Sequence, residues 1–343
     1  MLRFILHRLL VMVPTLVVVS MLIFIVINLP PGDYLSNQIA ELRATGQEAG
    51  LAKAEFLRHE YALDRPLAEQ YLVWIGVWPG PNGFHGLLQG DLGWSFEFNK
   101  PVAEVVGETL WFTVILNLAA VLFVYLVSFP LGALAAIRAN SWVDYLAAAV
   151  GYIGLATPNF LLALILLYYG QKWLGLPIGG LVDARYEDQA LSWAKIGSVL
   201  EHLIVPTIVI GLSGTAAMVR RLRANLLDEL GKPYVVTAKA KGVPPLRRLT
   251  RYPLRMALNP FVSDIGSLLP SLVSGSVLIS VVLSLPTIGP ALLEALRAQD
   301  IFLSGFILMF ISLLVLVGML VSDIALALLD PRIRLGKARK AQS

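Results

Sequence analysis

The sequence predicts an all-α polytopic membrane protein with six transmembrane helices, both termini in the cytoplasm and a cytoplasmic helical elbow. Three observations carry that expectation. Of the 343 residues, 57% are hydrophobic and 15% charged, far more apolar than a soluble domain needs. Six apolar runs are long enough, at about 1.5 Å per residue, to cross about 30 Å of hydrocarbon. Lysine and arginine gather in alternate connecting segments, as the positive-inside rule requires of cytoplasmic loops.

The first run, Leu9 to Leu29, follows Arg3 and Arg8. It is longer than an ordinary signal core and ends in "NLPPGD" without a small-x-small cleavage site, so residues 1–29 read as a retained first span. Residues 30–108 form the expected extracytoplasmic segment; between Pro30 and Glu104 it holds five basic residues against ten acidic ones. It contains an acidic helical stretch near Ala52 to Tyr61, then "YALDRPLAEQYLVWIGVW" with apolar residues at helical spacing, then turn-rich "PGPNGFHG". Its size and polarity suit a cap resting on the spans better than an independent domain. Residues 109–343 form the five-helix core, with runs at Thr109 to Ile137, Tyr145 to Gln171, His202 to Val219, Ile265 to Leu293 and Ile301 to Ser322. A second outer segment spans Lys172 to Glu201.

With the N-terminus inside, the cytoplasmic segments carry two basic residues before the first run, Arg138, ten from Arg220 to Arg255 and five from Arg332 to Lys340, which is 18 of 27. The segment 220–259 is the elbow. Leu222, Leu226, Leu227 and Leu230 share one helical face opposite arginines, so the fourth span continues beyond the membrane until Gly231 and Pro233 stop it. A short helix follows at about Tyr234 to Lys241, ended by Gly242 and Pro244, and a third begins near Leu246.

Catalytic signatures are missing from the chain. It has no cysteine, no G-x-x-x-x-G-K-[ST] phosphate loop, no G-x-S-x-G elbow and no H-E-x-x-H pair, and His7, His59, His85 and His202 are scattered. The central parts of the spans carry no charge, which argues against the proton relay of a secondary carrier, the competing class together with a channel. Asp264 and Asp323 sit at the predicted cytoplasmic ends of spans five and six, placed for interfacial capping or for pairing with the basic loop. Span five carries Ser267, Ser271 and Ser274 on one face and Ser276, Ser280 and Ser284 on another, with Gly275 between. Two readings are open: close helix packing, or a hydroxyl-lined translocation path through Ser276, Ser280 and Ser284. Pro270, Pro286, Thr287 and Gly289 would break its outer half into a gate or re-entrant turn.

Along nearly its whole length the chain resembles the inner-membrane permeases of dipeptide and oligopeptide ABC importers, the binding-protein-dependent transport class. The likeness is carried by "LDRPLAEQY" (Leu63 to Tyr71), "GDLGWSF" (Gly90 to Phe96), "TPNF" (Thr157 to Phe160), "YVVTAKAKGV" (Tyr234 to Val243) and "LDPRIR" (Leu329 to Arg334). The resemblance implies a permease subunit of the inner membrane, embedded in the lipid bilayer without nucleic-acid partners. It would work with a second homologous permease, two ATP-binding subunits that hold ATP and Mg, and an extracytoplasmic solute-binding protein. It further implies that Tyr234, Val235, Thr237, Ala238, Lys239, Ala240 and Gly242 form the coupling helix that docks in a groove of the ATPase, with Tyr234 and Val235 as anchors. The alternative for this loop is contact with anionic headgroups through Lys239, Lys241, Arg247, Arg248 and Arg251. Thr237 stands where many relatives carry an acidic residue, Tyr252 where histidine is common, and Ser280 where peptide-transporting relatives often carry glutamate. Oligopeptide is the default cargo; oligosaccharides, opines and nickel are the alternatives that relatives carry.

Overall fold

The computed structural model describes residues 2–175, 177–186, 189–190 and 192–329. The "LDPRIR" motif beyond Leu329 and the basic residues Arg332 to Lys340 lie outside the described residues. In chain order the helices are α1 (Leu2–Ile27), α2 (Tyr34–Thr45), α3 (Glu48–Glu60), α4 (Leu67–Ile75), α5 (Val102–Ile137), α6 (Trp142–Ala156), α7 (Asn159–Ile165) and α8 (Gln171–Leu174). They continue as α9 (Trp193–Leu230), α10 (Pro233–Ala240), α11 (Pro245–Arg251), α12 (Pro253–Ser263), α13 (Ile265–Val282), α14 (Ile288–Ala298) and α15 (Ile301–Leu329). Among the described residues the strands are β1 (Trp94–Ser95) and β2 (Lys100–Pro101), an antiparallel pair.

Four of these helices have uninterrupted stretches long and apolar enough to cross a membrane: Phe4–Ile27, Val102–Ile137, Trp193–Leu230 and Ile301–Leu328. The third apolar run is broken. Pro158 has no N–H, and the residue before a proline is pushed to extended backbone; Thr157 sits at φ −89°, ψ 121°, and the two halves bend by 98°. Taken as one broken span, they make a fifth crossing. The fifth run is divided as the proline and glycine content predicts: α13 stops at Val282, and α14 restarts behind Thr287, whose Oγ1 accepts from Gly289 N at 3.3 Å. The turn between them holds Ser284 at φ +51°, a left-handed conformation rare outside glycine and asparagine.

The chain divides into two compact units. The first comprises described residues up to Leu9, Phe112–Pro286 and those from Leu314 on. Its spine is α9, the long amphipathic helix read from Leu222, Leu226 and Leu230; α6, α7, α12 and α13 all pack on it. Small residues let helices approach closely: a Cβ added to Gly211 would lie 2.6 Å from the Phe123 ring, and one on Gly132 3.0 Å from Leu222. Three ion pairs stitch this unit. Asp144 accepts from Arg223 Nε at 2.5 Å and Nη2 at 2.6 Å, Arg8 Nη2 donates to Asp323 at 2.6 Å, and Arg221 pairs with Asp264. Asp264 and Asp323, the two aspartates expected at the ends of spans five and six, are therefore ion-paired, Asp264 to the basic segment and Asp323 to the first helix.

The second unit comprises Leu10–Trp111 and Thr287–Leu313. Here the segment from Pro30 to Pro101, the cap, shares apolar clusters with α1 and α15, among them Phe24, Leu35, Leu63, Trp74, Phe96 and Ile301. Asp33 caps α2 by accepting from Ser36 N at 2.6 Å, and Gly46 at φ +69° ends it. Asp300, with no exposed surface, ties the β1–β2 ribbon to the start of α15: its carboxylate accepts from Ser95 Oγ at 2.7 Å, Leu303 N at 3.2 Å and Glu97 N at 3.3 Å. Burial pushes this carboxyl above its usual range against the pull of those donors.

Candidate functional site

The elbow is built by chain-breaking residues in sequence. Helix α9 ends at Leu230, Lys232 takes an extended conformation, and Pro233 opens α10 at the one helical position where a missing N–H costs nothing. At the other end Gly242 N donates to Lys239 O at 3.0 Å and Val243 N to Ala238 O at 3.1 Å, with Gly242 at φ +73°. That pairing is a Schellman cap, and its left-handed residue is the reason a glycine stands there. Pro244 and Pro245 then start α11, and Tyr252, at φ −115° and ψ −83°, breaks it from α12.

Of the seven predicted residues, six lie within α10, on two faces, and Gly242 lies in the turn that ends it. Val235 and Ala238, three apart, are buried in the chain's own first unit at 6% exposure each. Thr237, Lys239, Ala240 and Gly242 are exposed. Thr237 Oγ1 turns back to Pro233 O at 2.9 Å, so its hydroxyl is satisfied inside the helix. Tyr234 is 38% exposed; its Oη donates to the Glu229 carboxylate and its ring lies 6.5 Å from that of Tyr252. Burial, together with Glu229, pushes the Tyr234 phenol up to about 12.

Val235 therefore seats the helix on its own protein, and the apolar side chains offered outward are those of Val236, 60% exposed, and Leu246, 74% exposed. Sequence reasoning missed both. An eight-residue helix has too few turns to show which of its two apolar faces is the inner one. The only available signal was the i, i+3 spacing of Val235 and Ala238 against the flanking leucines of α9.

The serine face of span five is also divided. Ser276 and Ser280 are buried, at 4% and 1% exposure, while Ser284 lies beyond the end of α13 in the left-handed turn and is exposed. Ser276 Oγ donates to Val273 O at 2.8 Å and accepts weakly from Asn117 Nδ2 of α5 at 3.5 Å; Ser280 Oγ is buried with no hydrogen-bond partner. Spacing of four residues places three serines on one face only while the helix lasts.

Comparison with known proteins decides the family. Residues 128–335 match the binding-protein-dependent transport system inner membrane component family, and residues 1–117 match its N-terminal membrane component. The chain belongs to this family. Among its relatives is a putative peptide permease protein of Brucella suis, 32% identical over 97% of this chain and 99% of the relative. An oligopeptide transport system permease protein of Bacillus subtilis is 31% identical over 96% and 98%, and a dipeptide transport system permease protein of Escherichia coli is 30% identical over 97% and 99%. The elbow of this binding-protein-dependent transport component falls inside the region matched by the larger family segment.

Proposed function

We propose that this chain is one of two transmembrane permease subunits of an ATP-binding-cassette importer that moves a short peptide or similar polar solute across the inner membrane. The observation that carries the reading is α10: a short helix opened by Pro233 and closed by a Schellman cap, seated by Val235 and Ala238 and presenting Tyr234, Val236 and Ala240 outward. A helix seated on its own protein can transmit displacement to the spans through α9, from which Gly231 and extended Lys232 separate it. The chain has no phosphate-cradling loop, so ATP and Mg belong to two partner ATP-binding subunits, whose groove would receive α10. A second homologous permease would complete the pore, and an extracytoplasmic solute-binding protein would deliver cargo. Family membership and the peptide, oligopeptide and dipeptide names of the relatives support this cargo class.

In this reading the chain makes six crossings, with α13 and α14 as a broken fifth, both termini and the elbow in the cytoplasm, and the cap outside. The burial of Ser276 and Ser280 supports their packing role over a path-lining one. The test is reconstitution in proteoliposomes with candidate ATP-binding subunits, a second permease and a solute-binding protein. ATP-dependent uptake of labelled di- or tripeptide, lost when α10 carries Ala240→Trp, is the expected result; uptake that proceeds without the ATP-binding subunits overturns it.

A further inference from the structure

Tyr234 stands at the joint where α10 leaves α9. Helix α9 ends at Leu230, Gly231 and extended Lys232 form the break, and Pro233 opens α10. Glu229, in the last turn of α9, is engaged twice across that break. Its backbone carbonyl accepts from Lys232 N at 3.2 Å, and its carboxylate accepts from Tyr234 Oη on the far side. The joint is therefore bridged by side chains as well as by the chain itself.

The Tyr234 ring also reaches the other end of the elbow. Its centroid lies 6.5 Å from that of Tyr252, with the rings inclined at 49°, and Tyr252 is the residue that breaks α11 from α12. Entry and exit of the elbow thus meet at one side chain. With the phenol pushed up to about 12 by burial and Glu229, the hydroxyl stays a donor at working pH, and an ionised carboxylate can only accept. The family resemblance implies a different role for Tyr234, that of an anchor in a groove of the ATPase. Its ring remains part of the outer surface, but its polar tip is committed to Glu229, while Val236 and Leu246 carry the more exposed apolar surface.

We propose that Tyr234 is a positioning residue: with Glu229 it sets the angle at which α10 leaves α9, and so holds the elbow in the orientation that an ATP-binding subunit meets. Val235 and Ala238 determine which face of α10 turns inward. Two contacts on one short helix leave it free to pivot about them, and the Tyr234–Glu229 bond at its first turn removes that freedom. Where the docking orientation is only one of several, the apparent dissociation constant rises by the inverse of its population. The inference rests on the importer reading of the elbow and deepens it.

The joint can be read without any partner. The chain has no cysteine, so Ala224→Cys on α9 and Lys239→Cys on α10, both exposed, place a spin-label pair across the break of the purified full chain. One narrow distance distribution is expected in this background. Tyr234→Phe and Glu229→Ala should each broaden or shift it, whereas Glu229→Gln, whose amide oxygen still accepts from the hydroxyl, should leave it narrow. Binding to a candidate ATP-binding subunit, measured in the same variants without the labels, reads the consequence. The dissociation constant should rise about threefold or more in Tyr234→Phe and in Glu229→Ala, and no further in the double variant, with melting as in the wild type. Unchanged distances in both single variants, additive losses in the double variant, or a loss in Tyr234→Phe that Glu229→Ala does not share overturns the proposal and returns Tyr234 to the partner's groove. A wild-type chain that binds no ATP-binding subunit overturns the importer reading and the docking role assigned to the joint, while the label distances still decide the joint itself.

Discussion

Ala238 and Ala240 lie two residues apart on the eight-residue helix α10 and have opposite surroundings, which turns them into a matched pair of probes. Ala238 is buried at 6% exposure, so Ala238→Trp must displace its neighbours and should cost the chain about 1–3 kcal/mol, read as a lower melting temperature and poor recovery from the membrane. Ala240 is exposed. Ala240→Trp should insert and melt like the wild type, yet lose transport and retain less ATP-binding subunit on co-purification; full uptake in that variant would make the elbow a lipid-facing loop. Gly242 has open space around its Cα but a φ of +73°, so Gly242→Val is penalised by backbone strain alone, at least about 1–2 kcal/mol given its β-branch. These positions were legible in the sequence as a short helix between proline and glycine punctuation. Their burial was not, because valine at 235 and valine at 236 look alike until the tertiary packing selects one.

At the level of elements, the apolar runs read from the sequence fall where helices are found, and the break read at Pro286 falls where the helix is interrupted, whereas the run from Tyr145 to Gln171, read as one span, is also interrupted at Pro158. Two results of those breaks remained hidden: the 98° bend after Ala156, and the loss of Ser284 from the serine face once α13 ends at Val282. Periodicity extrapolates a helix indefinitely, whereas the chain obeys the local cost of a missing N–H. The buried hydroxyl of Ser280 gives a direct check, since an unpartnered buried polar atom contributes nothing favourable to the fold. Ser280→Ala should leave melting unchanged or raise it by up to about 1 kcal/mol in stability, and Ser280→Trp should prevent assembly. The pair of α6 and α9 is joined by the bidentate Asp144–Arg223 contact. Removing Asp144 with alanine should cost about 2–3 kcal/mol, less than the about 3–5 of a fully buried pair because the Arg223 side chain is 32% exposed. A double variant lacking both charges should melt above the sum of the two single losses.

Taken as a whole molecule, the chain has an orientation that its basic residues predict and that reporter fusions can read. A reporter active only outside the cytoplasm should work at Gly50 or Asp183 and fail at Arg248 or Ala341; activity at Arg248 would invert the topology. The purified chain on its own should turn over no ATP. Pairing of Asp264 with the basic segment was one of the two readings its position offered, whereas the membership of the two compact units and the Asp144–Arg223 and Arg8–Asp323 pairs depend on which faces meet and could not be read from the sequence. Arg8 and Asp323 stand 315 positions apart, on α1 and α15, and their 2.6 Å contact cannot form until the ribosome has released residue 323. During synthesis Arg8 has no Asp323 to pair with until α15 has been made. The contact that ties the first helix to the last is therefore made only after every other helix of the first unit has been synthesised.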